Sequence, residues 1–352
     1  MVKVMAIHKL TLFIITVGIL SLIGFVIQQK TTFPQTSQAT KEVLPQTGPG
    51  IFSTQYSKNL NALIAIINKQ DPRLALNELQ HRMDTDPFVF KNCHLMAHSS
   101  GRAAYKKYKD FNTALQYQNT TCSNGYLHGV IEAKFASLSN TQEAITELKS
   151  ICSGYTHADR CWHGTGHGLM FFTSNDLPKA LSICNTYSTS RAQRRCYEGV
   201  FMENFLADPD AGHRSDYLNP KNPFVPCPSE ASRYKAVCYF YAPIYYLGLH
   251  NNDYSAAIQW CESAETGYTD SCTRGVGSLA MKYNIDKPKY VESLCMKSNP
   301  DDIPSCIDGM VSYYLTFTGS LSKTATLCSQ LEPHSFKTCN SAVKRNIALF
   351  QD

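Results

Sequence analysis

Cysteine spacing constrains this chain more than any other feature. Twelve of its 14 cysteines fall into six couples, Cys152/Cys161, Cys184/Cys196, Cys227/Cys238, Cys261/Cys272, Cys295/Cys306 and Cys328/Cys339, with eight to eleven residues between partners. Cys93 and Cys122 are left to pair with each other. An even count at regular spacing, with no CxxC pair to hold a metal or shuttle electrons, reads as a disulfide framework, and such a framework belongs to an oxidising compartment. Buried free thiols in a cytosolic protein are the competing explanation, and they leave the coupling unaccounted for.

Counted on the second cysteine of each couple, the chain repeats at intervals of 35, 42, 34, 34 and 33 residues. That is the period of a helix-turn-helix array. The long interval holds an insertion at residues 207–228, whose Pro209, Pro220, Pro223, Pro226 and Pro228 deny it helical structure. Within each unit a first helix opens on a capping residue and closes on a cysteine, as in Asp176 to Cys184 and Asp286 to Cys295. The proline just inside such a start is tolerated because the amides there lack partners anyway. Asn140 with Glu143 forms a capping-box pattern. The second helix begins at the partner cysteine and runs Cys-x-x-Gly into aromatic and aliphatic residues, as in Cys272 to Tyr283 and Cys306 to Tyr314. A glycine in a helix interior costs roughly 1 kcal/mol against alanine, so these glycines mark places where neighbouring helices approach closely. The fold class expected is all-α: a disulfide-stapled α-solenoid of helix-turn-helix repeats with a period of about 34 residues.

The period, the paired helices, the alanine ahead of the first cysteine (Ala180, Ala257) and the glycine after the second resemble tetratricopeptide-type repeats of the Sel-like class. The pattern is most similar to exported, cysteine-rich Sel-like repeat proteins. The resemblance covers roughly residues 90–345; the couples here are spaced more widely, and the usual Leu-Gly and Tyr-x-x-Gly signatures are incomplete. It implies one disulfide per helical hairpin and a protein-interaction scaffold, hence binding rather than catalysis.

The N-terminus agrees with export. Residues 1–9, with Lys3, His8 and Lys9, precede an apolar run at residues 10–27 that is long enough to span a bilayer. No small-residue cleavage signature follows, so the run reads as a transmembrane signal anchor with a cytoplasmic N-terminus, a cleaved signal peptide being the alternative. Residues 28–52, rich in Thr, Gln, Pro and Gly, read as a flexible linker. The helical ectodomain then occupies residues 53–352: two N-terminal capping helices, His-rich repeats at 90–206, the insertion at 207–228 and C-terminal repeats at 229–352. The membrane is therefore an expected partner, and the ectodomain is expected on the extracytoplasmic side, in a periplasm, at a cell surface or in a secretory lumen. A net charge of +5 with scattered lysines and arginines offers no nucleic-acid footprint.

Three residue pairs are not needed by a scaffold. His94/His98, His128/Glu132 and His163/His167 are each spaced i, i+4 on the second helices of the first three units, so each helix offers two ligands on one face. Equivalent positions in a stacked array lie side by side, and helices about 8–10 Å apart can aim side chains at a shared ion. The predicted site is His94, His98, His128, Glu132, His163 and His167 around one or two transition-metal ions. Imidazole with carboxylate suits zinc, iron or copper. Glu132 is either a ligand or a general base on a metal-bound water. Met170, and Met202 with Glu203, where Met202 follows Cys196 by the six residues that separate His167 from Cys161, extend the site if they are not core. The function expected is a membrane-anchored, exported metal-binding repeat protein, a metal-dependent oxidoreductase or hydrolase. The alternative is a non-catalytic scaffold without metal, binding a protein or peptide on a concave face rich in Tyr239, Tyr241, Tyr245, Tyr246, Tyr313 and Tyr314.

Overall fold

The structure, a computed structural model, describes residues 54–154, 158–206 and 215–347. The expected anchor at 10–27 and the expected linker at 28–52 lie outside them, and no described helix is long and apolar enough to cross a membrane. The described residues all fall in one compact unit, Pro45–Asp352, and contain α-helices and a short 3-10 turn but no strand.

Two helices, α1 (Thr54–Lys69) and α2 (Pro72–Thr85), pack on the start of the array. Asp71 stops the first and caps the second, its carboxylate accepting the Leu74 amide at 3.0 Å. Eight long helices follow: α3 (Pro87–Tyr108), α5 (Thr121–Ala136), α7 (Ala158–Phe172), α9 (Ser190–Leu206), α10 (Ser232–Leu249), α12 (Thr269–Tyr283), α14 (Ile303–Thr318) and α16 (Pro333–Ile347). Between them run the short helices α4 (Phe111–Leu115), α6 (Thr141–Ser150), α8 (Leu177–Cys184), α11 (Tyr254–Cys261), α13 (Pro288–Cys295) and α15 (Leu321–Ser329). Each long helix packs against the next, giving an inner layer, and each short one packs behind it. The expected capping box at Asn140/Glu143 forms, with Asn140 accepting the Glu143 amide and Glu143 accepting the Ser139 amide. Asp176 also caps as expected. Asp286 does not: the residue at the cap of α13 is Lys287, which makes no side-chain capping bond.

The six couples are all disulfides, Cys152–Cys161, Cys184–Cys196, Cys227–Cys238, Cys261–Cys272, Cys295–Cys306 and Cys328–Cys339. Most join the end of a short helix to the start of the long helix after it; Cys227 comes instead from the end of the insertion, where Phe224 stacks on Trp260 at 3.8 Å. Closing loops this short contributes about 3 kcal/mol per bridge on the chain-entropy estimate. Six such bonds belong to an oxidising compartment.

The seventh couple is a correction. Cys93 and Cys122 are buried free thiols, not a disulfide. They sit on adjacent inner helices rather than across a hairpin. The Cys122 sulfur lies 3.6 Å from Met83 Sδ, and burial, then the Cys93 neighbour, push its thiol well above the usual range.

The array also closes further than an open concave solenoid. Phe90 on α3 meets Phe317 on α14 edge-on at 5.7 Å, and α14 packs on α5. The inner layer thus bends round a central cavity of about 980 Å³, lined among the described residues by the eight long helices. The Cys-x-x-Gly glycines Gly199, Gly275 and Gly309 each face a backbone carbonyl of the neighbouring inner helix with no room for a Cβ, which lets the inner helices pack closely. Among the described residues the six tyrosines do not form one open face: none is exposed. Tyr239 and Tyr245 are core, Tyr246 stacks on Trp260 at 4.3 Å, Tyr314 packs against the core, and of the six only Tyr241 and Tyr313 face the cavity.

Candidate metal centre

All six residues expected to form a site converge. The i, i+4 spacing puts His94 and His98 on one face of α3, His128 and Glu132 on α5, and His163 and His167 on α7. Their rings form one continuous cluster, with centroid separations of 4.5 Å for His94–His98, 5.3 Å for His98–His128, 5.2 Å for His128–His163, 5.0 Å for His163–His167 and 5.1 Å for His98–His167. His94, His128 and His163 line the cavity. His98, Glu132 and His167 lie behind them with no solvent exposure.

The outer ring of hydrogen bonds decides the tautomers. His94 Nδ1 lies 2.7 Å from the Cys122 carbonyl oxygen. A carbonyl only accepts, so Nδ1 carries the proton and Nε2 keeps its lone pair. His98 Nδ1 lies 2.6 Å from a Glu132 carboxylate oxygen, whose other oxygen accepts from Arg102 Nη1 at 2.6 Å; His98 Nε2 is therefore also bare. The two bare Nε2 atoms point at each other across 3.0 Å. The arrangement recurs at the other end of the cluster, where His167 Nδ1 lies 2.9 Å from Glu203 on α9 and His167 Nε2 lies 3.2 Å from His163 Nε2. Nδ1 of His128 and of His163 are buried and have no hydrogen-bond partner among the described residues.

Local backbone strain aims one of these contacts. Cys122, Ser123 and Asn124 have φ of 52°, 55° and 64°, a left-handed turn that costs L-residues about 1–2 kcal/mol each. It turns the Cys122 carbonyl toward His94, and strain of this kind collects at functional sites.

Burial pushes four of the imidazoles toward the neutral form. His94, His98, His128 and His163 lie well below the ordinary histidine range, in each case first through burial and then through neighbouring histidines; for His94 and His98 the Lys282 ammonium adds to it. A histidine whose folded value is depressed binds fewer protons folded than unfolded at pH values below about 6.5, so stability falls as pH drops through that region. Metal-free protein is expected to lose stability from pH 7 to pH 5, by up to about 1.4 kcal/mol per pH unit for each histidine that stays neutral. Chemical unfolding across that range checks the slope; stability that rises on acidification contradicts it.

Two expectations shift. Glu132 has both oxygens committed, to His98 and Arg102, and it does not line the cavity, so it does not fit the general-base role. It orients His98 and remains within reach as a ligand. Of the residues that were to extend the site, Glu203 joins it as the partner of His167, Met202 lines the cavity and Met170 is core. Arg102, one turn beyond His98, was not foreseen; the i, i+4 step along α3 pointed to it.

Three triads bring one ligand atom from each member within 4.8 Å of the others: His94/His98/His128, His128/His163/His167, and His98/Glu132/His167. The first two share His128. Comparison of the chain with protein-family models, with curated proteins and with solved structures gives no match. The site is therefore read from its own geometry.

Proposed function

We propose that this chain is an exported metalloprotein whose His/Glu centre holds one or two transition-metal ions, zinc, iron or copper. The observation that carries the reading is the pair of bare Nε2 atoms of His94 and His98 at 3.0 Å, each fixed by a donor bond on its Nδ1. Two neutral lone pairs at that distance repel. Bonds of about 2.0–2.1 Å from one metal to two adjacent nitrogens hold those nitrogens about 2.9–3.4 Å apart, which matches. Carboxylates behind His98 and His167 complete the outer layer that such ligands use for orientation.

The buried faces of the cluster are closed by protein, and the His94, His128 and His163 face is open to the cavity. A centre built this way serves a reactant in the cavity, which favours a metal-dependent oxidoreductase or hydrolase over a purely structural ion. The metal would supply Lewis acidity or an electron. Glu132 and Glu203 fix the tautomers of His98 and His167, Arg102 holds Glu132, and the closed inner layer limits access of water. We infer further that the unit is a tetratricopeptide-type array tethered by residues 10–27 on the extracytoplasmic side of a membrane.

Cobalt(II) titrated into metal-free protein is expected to give visible absorption bands that saturate at one or two equivalents, with nitrogen-rich coordination. No saturable bands, or bands unchanged in His94→Ala/His163→Ala, would count against the centre.

A further inference from the structure

The histidines occupy one wall of the central cavity, and the rest of its lining has a different composition. Among the described residues, eight lysine and arginine side chains line it against three carboxylates. All three carboxylates are taken up by arginine. Asp308 lies 2.7 Å from both Arg274 and Arg345, Glu198 pairs with Arg194 and Arg195, and Asp159 takes Arg191 through two bonds of 2.9 Å. The lining is left with an excess of positive charge inside a concave, partly dehydrated space, where charge acts at longer range than at an open surface. Lys282 is the clearest case: half-buried on α12 and lining the cavity, it makes no ion pair among the described residues, and its ammonium lies 5.5 Å from the Tyr283 ring centroid. Half-buried apolar side chains, Phe240 and Ile244 on α10, Leu279 on α12 and Phe317 on α14, complete the lining. At about 980 Å³ the space falls within the range of small-molecule sites.

We propose that this cavity binds an organic oxyanion, its acidic head held by Lys282 and its apolar body set against Phe240, Ile244, Leu279 and Phe317. An inorganic ion would satisfy the charge and leave the apolar wall uncovered; a neutral apolar molecule would do the reverse. The proposal stands on the cavity lining and holds with or without a metal. With a metal in place, it names the substrate class that the centre meets.

The test uses the full chain, stripped of metal, in equilibrium dialysis against 2-naphthoate, 2-naphthamide and inorganic phosphate. The first two share a ring system and differ in charge. Binding of one equivalent of naphthoate is expected, ~10-fold tighter than the amide, with phosphate a poor competitor. Lys282→Gln should remove most of that preference and leave the amide unaffected, and Ile244→Gln should weaken both ring compounds. Near-ultraviolet circular dichroism confirms that each variant is folded. Failure of naphthoate to bind, equal affinity for the amide, a preference that survives Lys282→Gln, or competition by phosphate as strong as by naphthoate overturns the proposal. Because no metal is present, none of these results depends on the metal centre.

Discussion

Gly129→Ala is expected to destabilise the protein by about 3 kcal/mol or more, although alanine at an ordinary helix position gains roughly 1 kcal/mol over glycine. A Cβ at Gly129 would stand 1.9 Å from the His98 carbonyl oxygen and 2.6 Å from its carbonyl carbon. Both obstacles are backbone, so no rotamer change relieves them. Helices α3 and α5 must separate, and the 2.6 Å contact between His98 and Glu132 opens with them. The same contact recurs between α7 and α9, where a Cβ at Gly199 would lie 2.0 Å from the His163 carbonyl oxygen. Gly154 is the control: nothing lies within 4 Å of its Cβ position, and only its φ of 81° opposes substitution, at about 1–2 kcal/mol. Denaturant unfolding of the two variants distinguishes them. A Gly129→Ala protein as stable as the parent would show that the helices are not held at that distance.

These glycines show why the sequence was readable where it was. The cysteine couples were legible because each is local: a staple across a single hairpin needs only the correct spacing, and all six couples with that spacing are bonded. Cys93 and Cys122 lie on successive inner helices, and their approach depends on how α3 and α5 cross, which spacing does not encode. The histidine site was legible for a related reason. An i, i+4 pair fixes a helix face, and repetition of that pair fixes which faces are neighbours. Glu203 follows His167 by nearly the interval that separates Glu132 from His98, so its role could be read as an echo, at a different offset from its own cysteine. Closure of the array was not legible. Curvature accumulates from small rotations between units, and the Phe90–Phe317 contact joins residues that no local pattern relates. With it went the cavity, and with the cavity the distinction between an exposed tyrosine face and a core.

The orienting carboxylates give the metal account a graded consequence. Glu132→Gln keeps the shape of the side chain but weakens its hold on the His98 Nδ1 proton, and losses of outer-layer partners of this kind lower metal affinity about 10–100-fold. His98→Ala/His167→Ala goes further. It removes the two fully buried imidazoles, one or both of which belong to every triad at the centre.

On this reading the cluster of five histidines, His94 half-buried and the other four buried, exists to hold metal. Its most direct test is the transition-metal content of the purified full chain, measured by plasma mass spectrometry beside the His98→Ala/His167→Ala variant. One or two equivalents of zinc, iron or copper in the parent protein, falling to background in the double variant while the six disulfides persist, is the result the account predicts. Parent protein that carries no stoichiometric metal, and takes up none when supplied with all three, would contradict it.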